Sequence, residues 1–337
     1  MKKIEIIDFL KGYSIFTIII FHYLLEYKFG GSIEKIIYLG GTGVHLFVLI
    51  SGFGLYYSHL KKPLSFFKFI KKRFSKIYLP YIFIVSLALI ISLFLPIYTF
   101  SLYTFGGHLF LYKMFDNSII GSYGYQLWFV SMIFQFYFSF HLLTYLKKIL
   151  KNDKFFFLIT LFISLLWAIL LFIFEKGELR TWNSCFLTYL WEFCLGFLIA
   201  EYLNSSNFER FNSIIENNKL NISIGITGFI IYGLMAVKGG TMGKLFNDIP
   251  ALAGYTAIAV FIYSFTKNVL KINFIRKFFI FSGNISYPLY LLHVLILNIS
   301  LKVFYFLNIS FILVISILIT FIISFFFQKL INRTLQF

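Results

Sequence analysis

The stretch IIDFLKGYSIFTIIIFHYLLEY, residues 6–27, sets Asp8, Lys11, His22 and Glu26 into a run that is otherwise apolar enough to cross a bilayer. An ionised side chain at the centre of a membrane helix costs about 2.5 to 3.5 kcal/mol even on the lowest scale, so such groups face protein or a water-filled cavity. Each helical residue turns about 100°, so the eleven steps from Lys11 to His22 return to within roughly 20° of the same face, about 16 Å further along. Asp8 lies one turn before Lys11 and Glu26 one turn after His22, which completes a polar stripe. The chemistry open to it is proton transfer. An imidazole has an unperturbed pKa near 6.5, and a neighbouring carboxylate can hold its tautomer, which suits a general base. A plain structural reading stands beside it: Asp8 pairs with Lys11 at the interface, and His22 hydrogen-bonds a neighbouring helix. The stripe by itself leaves both open.

The elements that must hold these groups are membrane helices. Of the 337 residues, 60% are apolar and 13% charged, a composition that excludes a water-soluble domain. A span needs about 20 apolar residues to cross roughly 30 Å of hydrocarbon. The pattern predicts an all-α integral membrane protein with about ten transmembrane helices, near residues 9–27, 36–58, 77–98, 125–146, 155–174, 185–203, 222–237, 250–266, 280–303 and 308–328. Residues 1–337 are expected to form a single transmembrane domain with no appended soluble domain.

A net charge of +17 would suggest a nucleic-acid partner in a soluble chain, but in a membrane chain its placement is a topology signal. With the N-terminus inside, Lys2, Lys3, the basic run from Lys61 to Lys76, the Lys147–Lys154 cluster and the Lys267–Lys277 segment share one side. Most of the 30 Lys and Arg residues then face inward. Both termini are therefore expected in the cytoplasm, with the chain multi-pass in a bacterial-type cytoplasmic membrane. The opening MKK imitates a signal peptide, yet Asp8 and Lys11 interrupt the apolar run and no small-residue cleavage site follows. Cys185 and Cys194 share one predicted span, about 13 Å apart along its axis, too far to bridge to each other. They suggest neither a disulfide nor a metal site, and no metal ligand is assigned.

The run IDFLKGYSIFTIIIFH resembles the first helix of the acyltransferase 3 family, whose hallmark is an Arg, ten intervening residues and a His. Here the spacing runs from Lys11 to His22, with Lys in place of Arg and Gly12 following it. Four further segments agree in order. GGTGVHLFVLISGFGL (40–55) is similar to the family's second helix, with His45 where many members carry Asp. FFKFIKKRFSKIYLPY (66–81) is similar to a basic segment ending in an Arg-x-x-Arg-type pair and Pro, here Arg73, Lys76 and Pro80. QLWFVSMIFQFYF (126–138) resembles a Leu-Trp-Phe helix entry, and NISYPLYLLH (284–293) a late Ser-Tyr-x-x-Tyr-Leu-x-His motif. In a Phe-rich chain any one match is weak, whereas five in order are strong.

The resemblance implies a membrane acyltransferase. It would move an acyl group, with acetyl expected, from cytoplasmic acyl-CoA to a hydroxyl of a cell-surface polysaccharide or its lipid-linked precursor. His22 would be the general base, with Glu26 and Asp8 orienting or supporting it, and Lys11, Arg73 and Lys76 would hold the CoA phosphates. His45, Trp128, Tyr287 and His293 are candidates for the acceptor path. No permanently bound cofactor is expected, since acyl-CoA is a substrate. The partners would be the glycan acceptor and membrane lipid, not nucleic acid. A transporter exporting a glycan precursor or small solute is the rival reading, and a scaffold for glycan export a third. Arg73 and Lys76 also have a plain reading as topology charges or anionic-lipid contacts.

Overall fold

The computed structural model describes residues 4–205 and 208–334; Lys2 and Lys3, which entered the charge pattern, lie outside the described residues. In chain order the helices are α1 (Glu5–Leu24), α2 (Gly31–Tyr38), α3 (Gly43–Lys61), α4 (Phe66–Arg73), α5 (Leu79–Phe94) and α6 (Leu102–Leu109). There follow α7 (Trp128–Leu150), α8 (Asp153–Ile173), α9 (Arg180–Asn183), α10 (Leu190–Asn204), α11 (Phe208–Glu216) and α12 (Asn218–Lys238). The last five are α13 (Gly240–Phe246), α14 (Asp248–Asn268), α15 (Asn273–Asn284), α16 (Ser286–Val303) and α17 (Ile309–Thr334). No strand occurs among the described residues. The chain is a multi-pass membrane protein by its long apolar helices.

Nine helical stretches among the described residues are long and apolar enough to cross a membrane, against about ten expected. The one that falls short is the expected span 185–203. Its helix, α10, has only 15 residues, about 22 Å at 1.5 Å per residue, where a span needs roughly 30 Å. The reason lies in the turn before it. The Ser164 hydroxyl of α8 donates to the Leu187 carbonyl at 2.8 Å and accepts the Trp191 N–H at 3.3 Å, satisfying backbone groups that a longer helix would pair internally.

The chain divides into two compact units. The first comprises Met1–Pro63, Leu142–Glu178 and Leu187–Ser286. Its core is built around α1, where Phe9, Ile15 and Ile19 are fully buried and the Phe9 ring meets Tyr263 and Phe279 edge-on, each at 5.2 Å. Glycines set the helix spacing. Gly12 of α1 lies so close to α15 that a Cβ there would overlap the Phe279 carbonyl oxygen, and a Cβ on Gly283 would overlap the Asp8 carbonyl. Gly52 of α3 and Gly196 of α10 meet in the same way, over the Phe193 and Leu49 carbonyls. Small residues allow such backbone contact where water offers no drive to association. The rim of the unit is apolar and exposed, as in α12, where Ile226, Ile230 and Leu234 are each more than half exposed.

The second unit comprises Leu64–His141, Leu179–Phe186 and Tyr287–Phe337. Between α4 and α5 the chain makes a π-helical turn over Phe74–Tyr78, a local widening that leaves a carbonyl open to outside partners. The Tyr287 hydroxyl of α16 donates to the Ile77 carbonyl in that turn. Between α6 and α7 the loop wraps a fully buried cation: Lys113 Nζ donates to the Ser122 carbonyl at 2.8 Å. Burial lowers its pKa to about 7. Beside it His108 Nε2 donates to the Ser122 hydroxyl at 2.9 Å, so its Nδ1 accepts from the Tyr81 hydroxyl at 2.6 Å. Burial, with Lys113 adding repulsion, pushes His108 down to about 2.

Candidate functional site

α1 carries Asp8, Lys11 and His22 on one unbroken helix. The helix continues with no Pro between them, so the 1.5 Å rise puts Lys11 and His22 about 16 Å apart on nearly one face. Gly12 is part of this arrangement, because its contact with α15 fixes where Lys11 emerges. Asp8 is buried and Lys11 half-buried, with 3.6 Å between Asp8 Oδ1 and Lys11 Nζ. The expected pairing of these two therefore forms. His22 is buried, 6% exposed, in the last turn of the helix. Glu26 falls in the 3₁₀ turn Leu25–Tyr27 that follows α1.

α3 and the 3₁₀ turn Leu39–Thr42 before it pack along α1 through glycines. A Cβ on Gly43 would press on the Ser14 carbonyl and the Ile18 side chain, and one on Gly40 would press on Phe21. The register sets Gly40 near the level of His22 and sets Gly43, with His45 two residues on, nearer the level of Ser14. The ring of His45 is taken up by carboxylates. Its Nδ1 donates to Glu192 Oε1 of α10 at 2.6 Å, and its Nε2 lies 3.7 Å from Asp248 Oδ1 of α14. Glu192 is fully buried.

Neither Glu192 nor Asp248 stands out in the sequence motifs. The signal that finds Asp8 and Lys11, an ionisable group inside an apolar run, is also present in LWEFCLGFLIA (190–200) for Glu192. Asp248 opens a helix, where a carboxylate is ordinary.

In the second unit the predicted residues are tied into the fold. Trp128 is buried and carries the Arg180 guanidinium 5.2 Å over its ring. Tyr287 bonds the π-turn, and fully buried His293 donates from Nδ1 to the Leu289 carbonyl at 3.0 Å, one turn back on α16. Tyr290 donates to the Gln126 carbonyl at 2.7 Å, just before the Trp128 helix. The late Tyr-x-x-Tyr motif thus pins two carbonyls outside regular α-helix, one in the π-turn and one in the 3₁₀ turn before α7. Arg73 lies over the Phe69 and Tyr137 rings at 5.5 and 6.0 Å, and its Nε is buried with no hydrogen-bond partner among the described residues. Lys76 sits inside the π-turn, exposed.

Neither a curated protein nor a solved structure matches the chain. The model of the acyltransferase 3 family, described as an acyltransferase domain, matches residues 4–329. The match takes in α1, both units and every motif named from the sequence, and the chain belongs to that family.

Proposed function

We propose that the protein transfers an acyl group, acetyl in the first instance, from cytoplasmic acyl-CoA to a hydroxyl of a cell-surface polysaccharide or its lipid-linked precursor. The observation that carries the reading is α1 itself: a cation and an imidazole on one face of one unbroken helix, about 16 Å apart. An extended pantetheine arm has a comparable length. In this reading Lys11 holds a CoA phosphate near the cytoplasmic boundary and the thioester reaches towards His22. His22 takes the proton of the acceptor hydroxyl as its oxygen attacks the thioester carbonyl. The carbon–oxygen bond forms, the carbon–sulfur bond breaks, and the thiolate leaves with a proton as CoA. Asp8 keeps Lys11 in place, and Glu26 supports the protonated imidazole electrostatically.

Arg73 and Lys76 are proposed as further phosphate-binding cations. What supports Arg73 is its buried Nε without a partner: a planar guanidinium with an open donor suits a phosphate oxygen. Both termini face the cytoplasm in this reading, with the short α10 making the tenth crossing, as the distribution of Lys and Arg suggests. The test is to incubate purified full-length protein in lipid with labelled acetyl-CoA and a panel of free and lipid-linked glycans. Label should pass to at least one acceptor, and His22→Ala should lose it. Folded wild-type protein that transfers to none of them, or a fully active His22→Ala, would overturn the reading.

A further inference from the structure

His45, Glu192 and Asp248 converge on one point inside the first unit. One nitrogen or oxygen from each residue lies within 4.8 Å of the others, brought together from α3, α10 and α14. Glu192 is 0% exposed; its Oε1 takes the His45 Nδ1–H, while its Oε2 is buried with no hydrogen-bond partner among the described residues. Among the described residues the ion pairs of Glu192 and Asp248 run only to His45.

With both carboxylates ionised, the cluster carries two negative charges beside a neutral imidazole and one beside an imidazolium. Burial of that charge is met either by a proton or by a cation. A divalent cation beside the neutral imidazole brings the sum to zero.

The distances fit such an ion. His45 Nε2 and Asp248 Oδ1 are 3.7 Å apart, too long for a hydrogen bond. It is the separation that two bonds of about 2.1 Å span across one metal ion. On the far side of the ring, Glu192 at Nδ1 is the carboxylate that fixes the tautomer and orientation of a metal-binding imidazole. His45 and Asp248 keep 13% and 17% side-chain exposure, the open side of the cluster, whereas Glu192 closes the other. The α1 groups nearest Gly43, Ser14 and Ile18, carry no charge that would repel a cation.

We infer that His45 and Asp248 bind one first-row divalent cation, with Glu192 as the positioning carboxylate. One imidazole and carboxylate oxygens favour Zn²⁺ or Mn²⁺ over softer ions. The ion ties α14 to α3, and the Glu192 bond carries the tie to α10.

The experiment strips purified full-length protein with a chelator, adds back Zn²⁺, Mn²⁺ or Co²⁺, and measures bound metal by mass spectrometry and the Co²⁺ absorption spectrum. Wild type should take up about one ion per chain, and His45→Ala and Asp248→Asn should fall to background. Glu192→Gln should weaken binding about 10- to 100-fold, the effect of removing an orienting carboxylate. Glu178→Gln, in the exposed pair with Lys244, should bind as wild type does. Background metal in folded wild type with all three ions would overturn the inference, leaving a proton as the bridge. Uptake unchanged in His45→Ala and Asp248→Asn would overturn it as well. The readout is metal content, so its outcome is independent of acyl transfer.

Discussion

At the scale of single residues, the proposed base and the proposed phosphate ligand have separable signatures. His22→Ala should lower kcat by about 10² to 10⁴, the usual contribution of general acid–base catalysis, with the thermal midpoint little changed. Lys11→Gln should raise KM for acyl-CoA and leave acceptor KM alone, while Lys11→Arg should keep or improve it, because a guanidinium grips phosphate in two places. Initial rates with each substrate varied in turn distinguish the two.

Lys113 offers a test of the fold itself. In the unfolded chain it titrates near 10.5, and in the folded chain near 7. Between those values the unfolded chain binds the extra proton, so stability rises with pH from about 7 to about 10.5. The thermal midpoint of wild type should climb through the lower part of that window, and Lys113→Met should remove the climb. For His108 the window runs from 6.5 down to about 2, and stability falls as the pH drops through it.

At the scale of helices, what the sequence discloses depends on whether a feature lies along one element or between several. The Lys11–His22 stripe was legible because helical periodicity converts spacing into geometry on a single helix. The cluster of His45, Glu192 and Asp248 was not, because no spacing encodes the convergence of three helices. Glycine shows the same limit within one motif. SGFG reads as a close-packing signal, yet Gly52 touches the α10 backbone whereas nothing lies within 4 Å of where a Cβ on Gly54 would be.

The two positions therefore make a matched pair. Gly52→Ala and Gly12→Ala each drive a methyl group into a carbonyl and should cost about 3 kcal/mol, the upper end for overpacking. Gly54→Ala should stay within about 0.5 kcal/mol, as for an open surface site. Unfolding of the purified variants in one detergent checks both. The shortening of α10 was hidden for a related reason: Cys185–Tyr189 is apolar enough to continue a span, and only the Ser164 contacts from α8 reveal why it turns instead.

At the scale of the whole chain, class and family were legible almost in full, since hydropathy and ordered motifs need no three-dimensional knowledge. Orientation rests on charge placement and has its own test. A cysteine in place of Tyr305, which is 80% exposed beyond α16, should react with a membrane-impermeant maleimide on intact cells. One in place of Lys62, exposed at the end of α3, should react only after permeabilisation. Buried Cys194 should stay silent and half-buried Cys185 serve as the background. The reverse labelling pattern would invert the topology and place Lys11 at the wrong face for a cytoplasmic donor.

The backbone contact between α1 and α15 also bears on how such a protein can change over generations. Where two helices touch through Gly12 and Gly283, their separation is set by main-chain atoms, which every sequence shares. Substitutions in the Phe, Ile and Tyr side chains around them can alter volume and polarity without shifting the helix axis. Those side chains can thus be exchanged from one generation to the next while the separation of α1 from α15 stays fixed. The variation that would most readily abolish that freedom is a single methyl group at position 12 or 283.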